Sequence, residues 1–242
     1  MSERLAVILA GGLATRMRPA TASVPKWLLP VAGRPFAHWQ IEWLAANGIT
    51  SVVCCIGHLG EQIVDTIGDG ASFGIDVRYS ADGPALLGTA GALRLAADRG
   101  LLTTEFLVLY GDSYLPIEVD PVWATFHELG LPALMTVYRN HDEHDRSNAM
   151  FDGARVTRYS KQEAGPGETP FDYIDYGLGC MERAVLDAVP SGIRFDLAGL
   201  YETLAHNGRL GGHEVFARFY EVGSPEGLHD LEGLLAGTGG DR

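Results

Sequence analysis

Cysteine is scarce in this chain, three residues out of 242: Cys54, Cys55 and Cys180. An odd count, with an adjacent pair whose side chains would point to opposite faces of a strand, excludes a disulfide framework. Free thiols buried in a reducing cytoplasm are the better reading. Positive charge is also short, 18 Lys and Arg against 31 Asp and Glu, a formal net charge of −13. That balance disfavours nucleic acid and anionic membranes as partners, so any anionic ligand must be held by a local basic site. No apolar run is long enough to span a bilayer, and the opening MSERLAVILAGG reads as a strand entering a turn, with no export signal. There is no internal repeat and no free Pro/Gly/Ser linker, although residues 163–169, EAGPGET, read as a mobile loop or lid. No heptad or stripe sets an oligomeric state.

What is present is an ordinary globular balance, 46% hydrophobic and 20% charged residues, in a chain long enough to bury a core without metal or disulfide support. Leu5 to Leu9, Ser51 to Ile56 and Phe106 to Tyr110 are short apolar runs that predict buried parallel strands. Between them, Pro35 to Ala46, Gly60 to Ile67 and Gly88 to Ala97 carry helical spacing, so the first half predicts βαβ units of a doubly wound α/β sheet. Trp39 and Trp43, four apart, read as helix packing. The second half predicts strands at Ala133 to Tyr138, Asn148 to Phe151, Arg155 to Tyr159, Tyr173 to Met181 and His213 to Phe219, with a helix over Leu197 to His206. We expect these to complete the same sheet and wall a cleft in one domain over residues 1–235, followed by a frayed tail at 236–242.

The chemistry concentrates in Leu9 to Pro35, LAGGLATRMRPATASVPKWLLPVAGRP. Gly11 and Gly12, directly after a strand, let exposed N–H groups approach a phosphate or a base edge closely. Arg16, Arg18 and Lys26 then put three cations in one short window with no intervening acid. Arg forks onto phosphate oxygens and Lys offers a movable point charge, so the cluster suits a polyphosphate. A Walker A loop requires Gly-Lys followed by Ser or Thr, and the dinucleotide fingerprint requires G-x-G-x-x-G; neither occurs here. Gly-Gly alone would read more readily as a turn into a solvated loop.

The whole stretch resembles the signature of the sugar-1-phosphate nucleotidyltransferases, approximately L-A-G-G-x-G-T-R-x-x-P-x-T, then P-K and P-V-x-x-x-P, with Ala14 where Gly is common. The resemblance runs from near the first residue to about Leu228, nearest in look to the mannose- and heptose-1-phosphate guanylyltransferases. It implies a Rossmann-like three-layer α/β sandwich, GT-A-like, with a mixed, mainly parallel central sheet and no appended β-helix. Carried over by position, it makes Leu9, Ala10, Gly11, Gly12 and Thr15 nucleotide contacts, Arg16 a triphosphate clamp and Lys26 a stabiliser of the α-phosphate.

Further along, the strand in LVLYGDSYL ends at Gly111-Asp112, where open α/β sheets bind their ligands, so Asp112 is a candidate Mg²⁺ ligand as well as a turn-forming acid. In YEVGSPEGL, Glu221 stands where the family tends to carry the Asp of D-x-G-T/S-P that completes the metal site; Mg²⁺ accepts either carboxylate. Gly88 and Thr89 of LGTAGAL resemble the segment that touches the base, in a form closer to the guanylyl than to the thymidylyl branch, and Thr89 reads equally as a helix cap. Lys161, after the strand ending at Tyr159, occupies the position that binds the phosphate of the sugar phosphate. Gly177 falls in the family's sugar-binding strand, with Asp175 at its Asn position, and Asn148 could reach a sugar hydroxyl. The cluster His141-Asp142-Glu143-His144-Asp145 reads as a solvated connection and not a zinc site.

The expected reaction is NTP plus sugar 1-phosphate giving NDP-sugar plus pyrophosphate, with GTP and a mannose- or heptose-type phosphate as the favoured pair. Both substrates are polyanions, so catalysis rests on positioning and charge neutralisation without a protein nucleophile. Two alternatives stay open: another NTP, whether UTP, CTP or dTTP, or a non-catalytic sugar-nucleotide-sensing domain of the same fold. A dinucleotide-dependent oxidoreductase is a distant third.

Overall fold

The computed structural model describes residues 4–12, 21–83, 85–140, 146–162 and 170–238. In chain order its elements are β1 (Leu5–Leu9), β2 (Pro30–Val31), β3 (Arg34–Pro35), α1 (Phe36–Ala46), β4 (Ser51–Ile56), α2 (Gly60–Ile67), β5 (Asp76–Ala81), α3 (Gly88–Asp98), β6 (Glu105–Tyr110), β7 (Ser113–Tyr114), α4 (Asp120–Leu129), β8 (Ala133–Arg139), β9 (Ala149–Phe151), β10 (Val156–Tyr159), β11 (Tyr173–Glu182), α5 (Leu197–His206), β12 (Leu210–Val215), β13 (Tyr220–Glu221) and α6 (Pro225–Thr238). They form an α/β fold around a mixed sheet. The chain divides into two compact units, one of residues 1–86, 109–115 and 219–242, the other of residues 87–108 and 116–218.

In the first unit β1 and β4 run parallel with Leu5 opposite Ser51 and Leu9 opposite Cys55, and β4 runs parallel to β5. Every residue of β4 is buried and only Leu9 of β1 is partly open, which is why both read as unbroken apolar runs. Helix α1 turns Phe36, Ala37, Ile41 and Leu44 inward. It follows the β2–β3 hairpin, whose two-residue turn puts Ala32 and Gly33 at φ 48° and 81°, the left-handed pair that suits strand twist. Trp39 fastens that hairpin: its indole N–H donates to the Val31 carbonyl at 3.0 Å and the Arg34 guanidinium lies 3.7 Å above its ring.

In the second unit β11 is the long central strand, antiparallel to β8 and β9, while β9 pairs with β10 and β12 runs parallel to β8. The strand expected over His213 to Phe219 lies instead at Leu210–Val215. Gly211 and Gly212, which look like a break, are interior strand residues because the Leu129 side chain and the Phe151 ring occupy the space a Cβ would need. The strands expected to begin at Asn148 and Arg155 begin one residue later, while α5 has its expected bounds. Helix α4 and strand β5 are additions to the sequence reading.

All three cysteines are buried and free. Burial pushes the Cys54 and Cys180 thiols well up, so both stay protonated and inert. Among the described residues no helix is long and apolar enough to cross a membrane. Helix α6 continues through Thr238, into the expected tail, and residues 239–242 lie outside those described. The loop at 163–169 and the cluster at 141–145 lie outside them as well.

Candidate active site

Strand β1 ends at the Gly-Gly loop, where the Ala10 N–H donates to the Cys55 carbonyl at 2.9 Å. Next to it Gly111 donates to the Leu9 carbonyl at 3.1 Å. A Cβ on Gly111 would stand 3.1 Å from that oxygen and 3.2 Å from Ala10 Cα, so this side-by-side placement favours a bare backbone. On the other flank Gly11 packs against Gly57: a Cβ at Gly57 would lie 2.7 Å from the Gly11 oxygen. The sequence-predicted loop is thus clamped between two glycines on neighbouring strand ends.

Lys26 opens a 3-10 turn, Lys26–Leu28, entered through Pro25. Trp27 and Leu28 turn into the core while Lys26 keeps only 17% of its side chain exposed, and its Nζ donates to Asp112 Oδ2 at 2.7 Å. Asp112 follows β6 and Gly111, at the carboxyl end of a strand, as ligand-binding acids of such sheets do. Glu221 reaches the same place from far along the chain. The short strands β7 and β13 pair with Glu221 opposite Ser113, and the Val222 N–H donates to the Asp112 carbonyl at 2.9 Å. One point beside Gly223, where a Cβ would sit, lies 3.2 Å from Glu221 Oε2 and 3.5 Å from Lys26 Nζ. A cation and two carboxylates, distant in sequence, therefore share one small volume.

Those residues suit a hard divalent cation. Among the described residues no three His, Cys, Asp or Glu side chains gather to hold a metal by themselves. Asp112 and Glu221 supply two oxygen-bearing side chains, which is how Mg²⁺ is commonly bound, with substrate phosphates and water completing its shell.

The sugar-side candidates lie in the second unit. The Asn148 side-chain oxygen accepts from the Asp175 N–H at 2.8 Å, and the Asp175 carboxylate accepts from the Gly177 N–H at 3.0 Å. Gly177 has φ 100° at the irregularity of β11, a conformation L side chains rarely adopt. Asp175 is therefore folded back onto the backbone, beside Tyr159 and Tyr201, whose phenol pKa values are raised by burial first and by the Asp175 charge second. Lys161 is exposed, next to Ser160, whose N–H donates to the Asn148 carbonyl at 2.9 Å. At the start of α3, Gly88 has φ 71°, and a Cβ there would lie 2.7 Å from the Phe195 oxygen. The Thr89 hydroxyl accepts from the Leu197 N–H at 2.7 Å, so it caps α5 and not its own helix.

Thr15 and Arg16 lie outside the described residues, as does Arg18. The structure adds three residues that the sequence reading passed over: Gly57, Trp27 and Gln40. Gly57 carries only the faint signal of a glycine at a strand end. Trp27 and Gln40 carry none.

A family model described as nucleotidyl transferase matches residues 5–149. The UTP--glucose-1-phosphate uridylyltransferase of Synechocystis sp. is 28% identical over 84% of this chain and 55% of its own length. This chain thus spans about half of that relative. The N-acetylmuramate alpha-1-phosphate uridylyltransferase of Neisseria meningitidis is 29% identical over 95% of this chain and 97% of its own. Among solved structures, HddC from Yersinia pseudotuberculosis complexed with GMP-PN superposes with a TM-score of 0.77 at 19% identity, covering 96% of this chain and 99% of that one. At that identity the likeness speaks to the fold.

Proposed function

The chain belongs to the nucleotidyl transferase family, and from that premise we propose that it transfers a nucleotidyl group from an NTP to a sugar 1-phosphate, releasing pyrophosphate. The observation that carries this reading is the 2.7 Å Lys26–Asp112 pair, with a Glu221 carboxylate oxygen and the same ammonium both within 3.5 Å of the point where a Gly223 Cβ would sit. A sugar-phosphate oxygen forms a bond to the α-phosphorus as the bond to the pyrophosphate oxygen breaks, so no enzyme nucleophile is needed. The backbone of Leu9 to Gly12 receives the nucleotide together with Thr15, and Arg16 takes charge on the departing pyrophosphate. Lys26 offsets the negative charge that builds on the α-phosphate. Asp112 and Glu221 would hold Mg²⁺, which when bound neutralises phosphate charge and polarises the phosphoryl oxygens. Gly88 and Thr89 bring backbone to the base edge, and Asn148, Gly177 and Lys161 receive the sugar phosphate. The buried free thiols and the acidic surface fit a cytoplasmic enzyme with no nucleic-acid or membrane partner.

For the substrate pair we favour GTP with a mannose- or heptose-type phosphate, on the form of the LGTAGAL segment. A second reading, UTP with an N-acetylmuramate-type phosphate, has in its favour a uridylyltransferase of nearly this chain's length that matches almost end to end. Pyrophosphate release from four NTPs crossed with glucose-, mannose-, heptose- and N-acetylmuramic acid 1-phosphates decides between them. With the active pair, Lys26→Ala and Asp112→Ala should each lose at least about 10²-fold in kcat, the scale of a lost transition-state contact. Near-normal turnover of both variants, or no release from any pair, would overturn the reading, the latter favouring a sensing domain.

A further inference from the structure

Helix α1 buries one polar side chain completely. Gln40 is 1% exposed, and a primary amide taken that far from water has to spend its oxygen and both N–H groups on protein partners. It does so in two directions. Its Oε1 accepts from the Trp27 indole N–H at 2.6 Å. Its Nε2 donates to the Tyr110 carbonyl at 2.9 Å and to the Ser113 carbonyl. Trp27 is the residue after Lys26, and Tyr110 and Ser113 bracket Gly111-Asp112. One amide therefore ties together the two backbone segments whose neighbouring side chains meet at 2.7 Å.

We propose that Gln40 is a positioning residue for nucleotidyl transfer, its amide setting the Lys26–Asp112 geometry from behind by joining Trp27 to the backbone on both sides of Asp112. The inference rests on the function proposed above. It is separable from that function because the geometry it concerns exists without substrate. The side chain must accept on one face and donate twice on the other. Glutamate matches the shape and keeps the acceptor, but its carboxylate would oppose two carbonyl oxygens. Methionine matches the size and offers nothing to the Trp27 N–H or to either carbonyl, so all three tethers are lost. An acceptor-only or apolar side chain thus lets the Lys26 turn and the Asp112 turn move independently, even where the core stays filled.

The chain contains two lysines, Lys26 and Lys161. Lys161 is exposed and lies in the other compact unit, which makes it an internal reference for amine reactivity. The test is made on the complete chain with Gln40→Glu, Gln40→Met and Trp27→Phe, the last deleting the indole N–H while keeping an aromatic ring. Three quantities are read: acetylation of Lys26 relative to Lys161 by acetic anhydride and peptide mass spectrometry without ligand, kcat and KM for pyrophosphate release, and the urea midpoint. We expect Lys26 of the parent to react more slowly than Lys161, and this protection to fall by about fivefold or more in both Gln40 variants. In the same variants kcat should fall by about tenfold or more while KM for the sugar phosphate stays within about twofold, because the misplaced groups act on the transition state. Trp27→Phe should move both quantities in the same direction by less.

A lowered urea midpoint with unchanged Lys26 protection and unchanged kcat would overturn the proposal and leave Gln40 as a core contact. Should the Gln40 variants fail to fold, Trp27→Phe decides on the same two readouts. If the parent protein releases no pyrophosphate with any substrate pair, the function proposed above fails. The acetylation ratio still decides whether Gln40 sets the pair.

Discussion

Alanine at Gly57 is the sharpest perturbation available at the proposed nucleotide loop without touching a charged group. An added Cβ would lie 2.7 Å from the Gly11 oxygen, 2.8 Å from the end of the Leu86 side chain and 3.3 Å from Gly11 Cα. The Leu86 methyl can swing away; the Gly11 carbonyl is backbone and cannot. A methyl carbon rests about 3.5 Å from such a neighbour, so the Gly11 peptide has to retreat by roughly 0.8 Å. The overpacking should cost about 1–3 kcal/mol of stability, read as a lowered urea midpoint. The displaced peptide belongs to the backbone proposed to receive the nucleotide. Since a misplacement of about 1 Å can cost on the order of 10²-fold in rate, kcat/KM for the NTP should fall at least about tenfold. Initial rates of pyrophosphate release with the NTP varied measure this directly. Gly12→Ala provides the contrast, because among the described residues a Cβ there meets nothing within 4 Å and its φ is ordinary; its stability should stay within about 0.5 kcal/mol of the parent. Gly57→Ala with kcat/KM within twofold of the parent and an unshifted midpoint would refute the argument that these two backbones are pressed together.

Two further outcomes concern the second unit. Gly212→Ala should lower stability by about 1–3 kcal/mol in urea titration, because its methyl would occupy the space of the Phe151 ring; an unchanged midpoint would contradict that packing. His213 donates to or accepts from the Thr125 hydroxyl at 2.8 Å, and burial lowers its pKa, so the folded state holds it neutral. The unfolded chain takes up that proton near about pH 6.5 and binds more protons than the folded one below it, so this contribution to stability is present above that pH and is lost as the pH falls towards the folded pKa. The urea midpoint should therefore drop between pH 7.5 and 5.5, and His213→Gln should flatten part of that slope; an identical slope in the variant counts against the burial argument.

Sequence periodicity was informative where burial follows chain order. Strands β1 and β4 and helices α2 and α5 carry their expected bounds, because two covered faces make an unbroken apolar run and one covered stripe makes a helical one. Strand β12 was displaced because its two glycines are explained only by the Leu129 side chain of α4 and the Phe151 ring of β9. Strand β5 was equally legible, since Asp76 to Ala81 alternates polar and apolar residues as a strand does. Helix α4 was legible and passed over: Pro121 near its start, Gly130 in the left-handed conformation at its end, and Val122, Trp123 and Phe126 on one buried face are ordinary helix signals. At the site, Lys26 and Asp112 came from their local surroundings. Glu221 came only from the family resemblance, since an acid before a helix is otherwise unremarkable. Gln40 had no signal, because an amide's partners are set by tertiary folding and not by neighbours in the chain.

The pairing of β7 with β13 joins residues near 113 to residues near 221. A contact closed over so long a loop comes at a high entropic cost and forms late in folding relative to local helices. During synthesis, the Lys26–Asp112 pair can assemble while the chain is half made, but the second acid cannot join it until residue 221 has cleared the ribosome. On the function proposed above, a nascent chain shorter than that carries Lys26 and Asp112 without the second carboxylate, and so lacks the full set that nucleotidyl transfer requires.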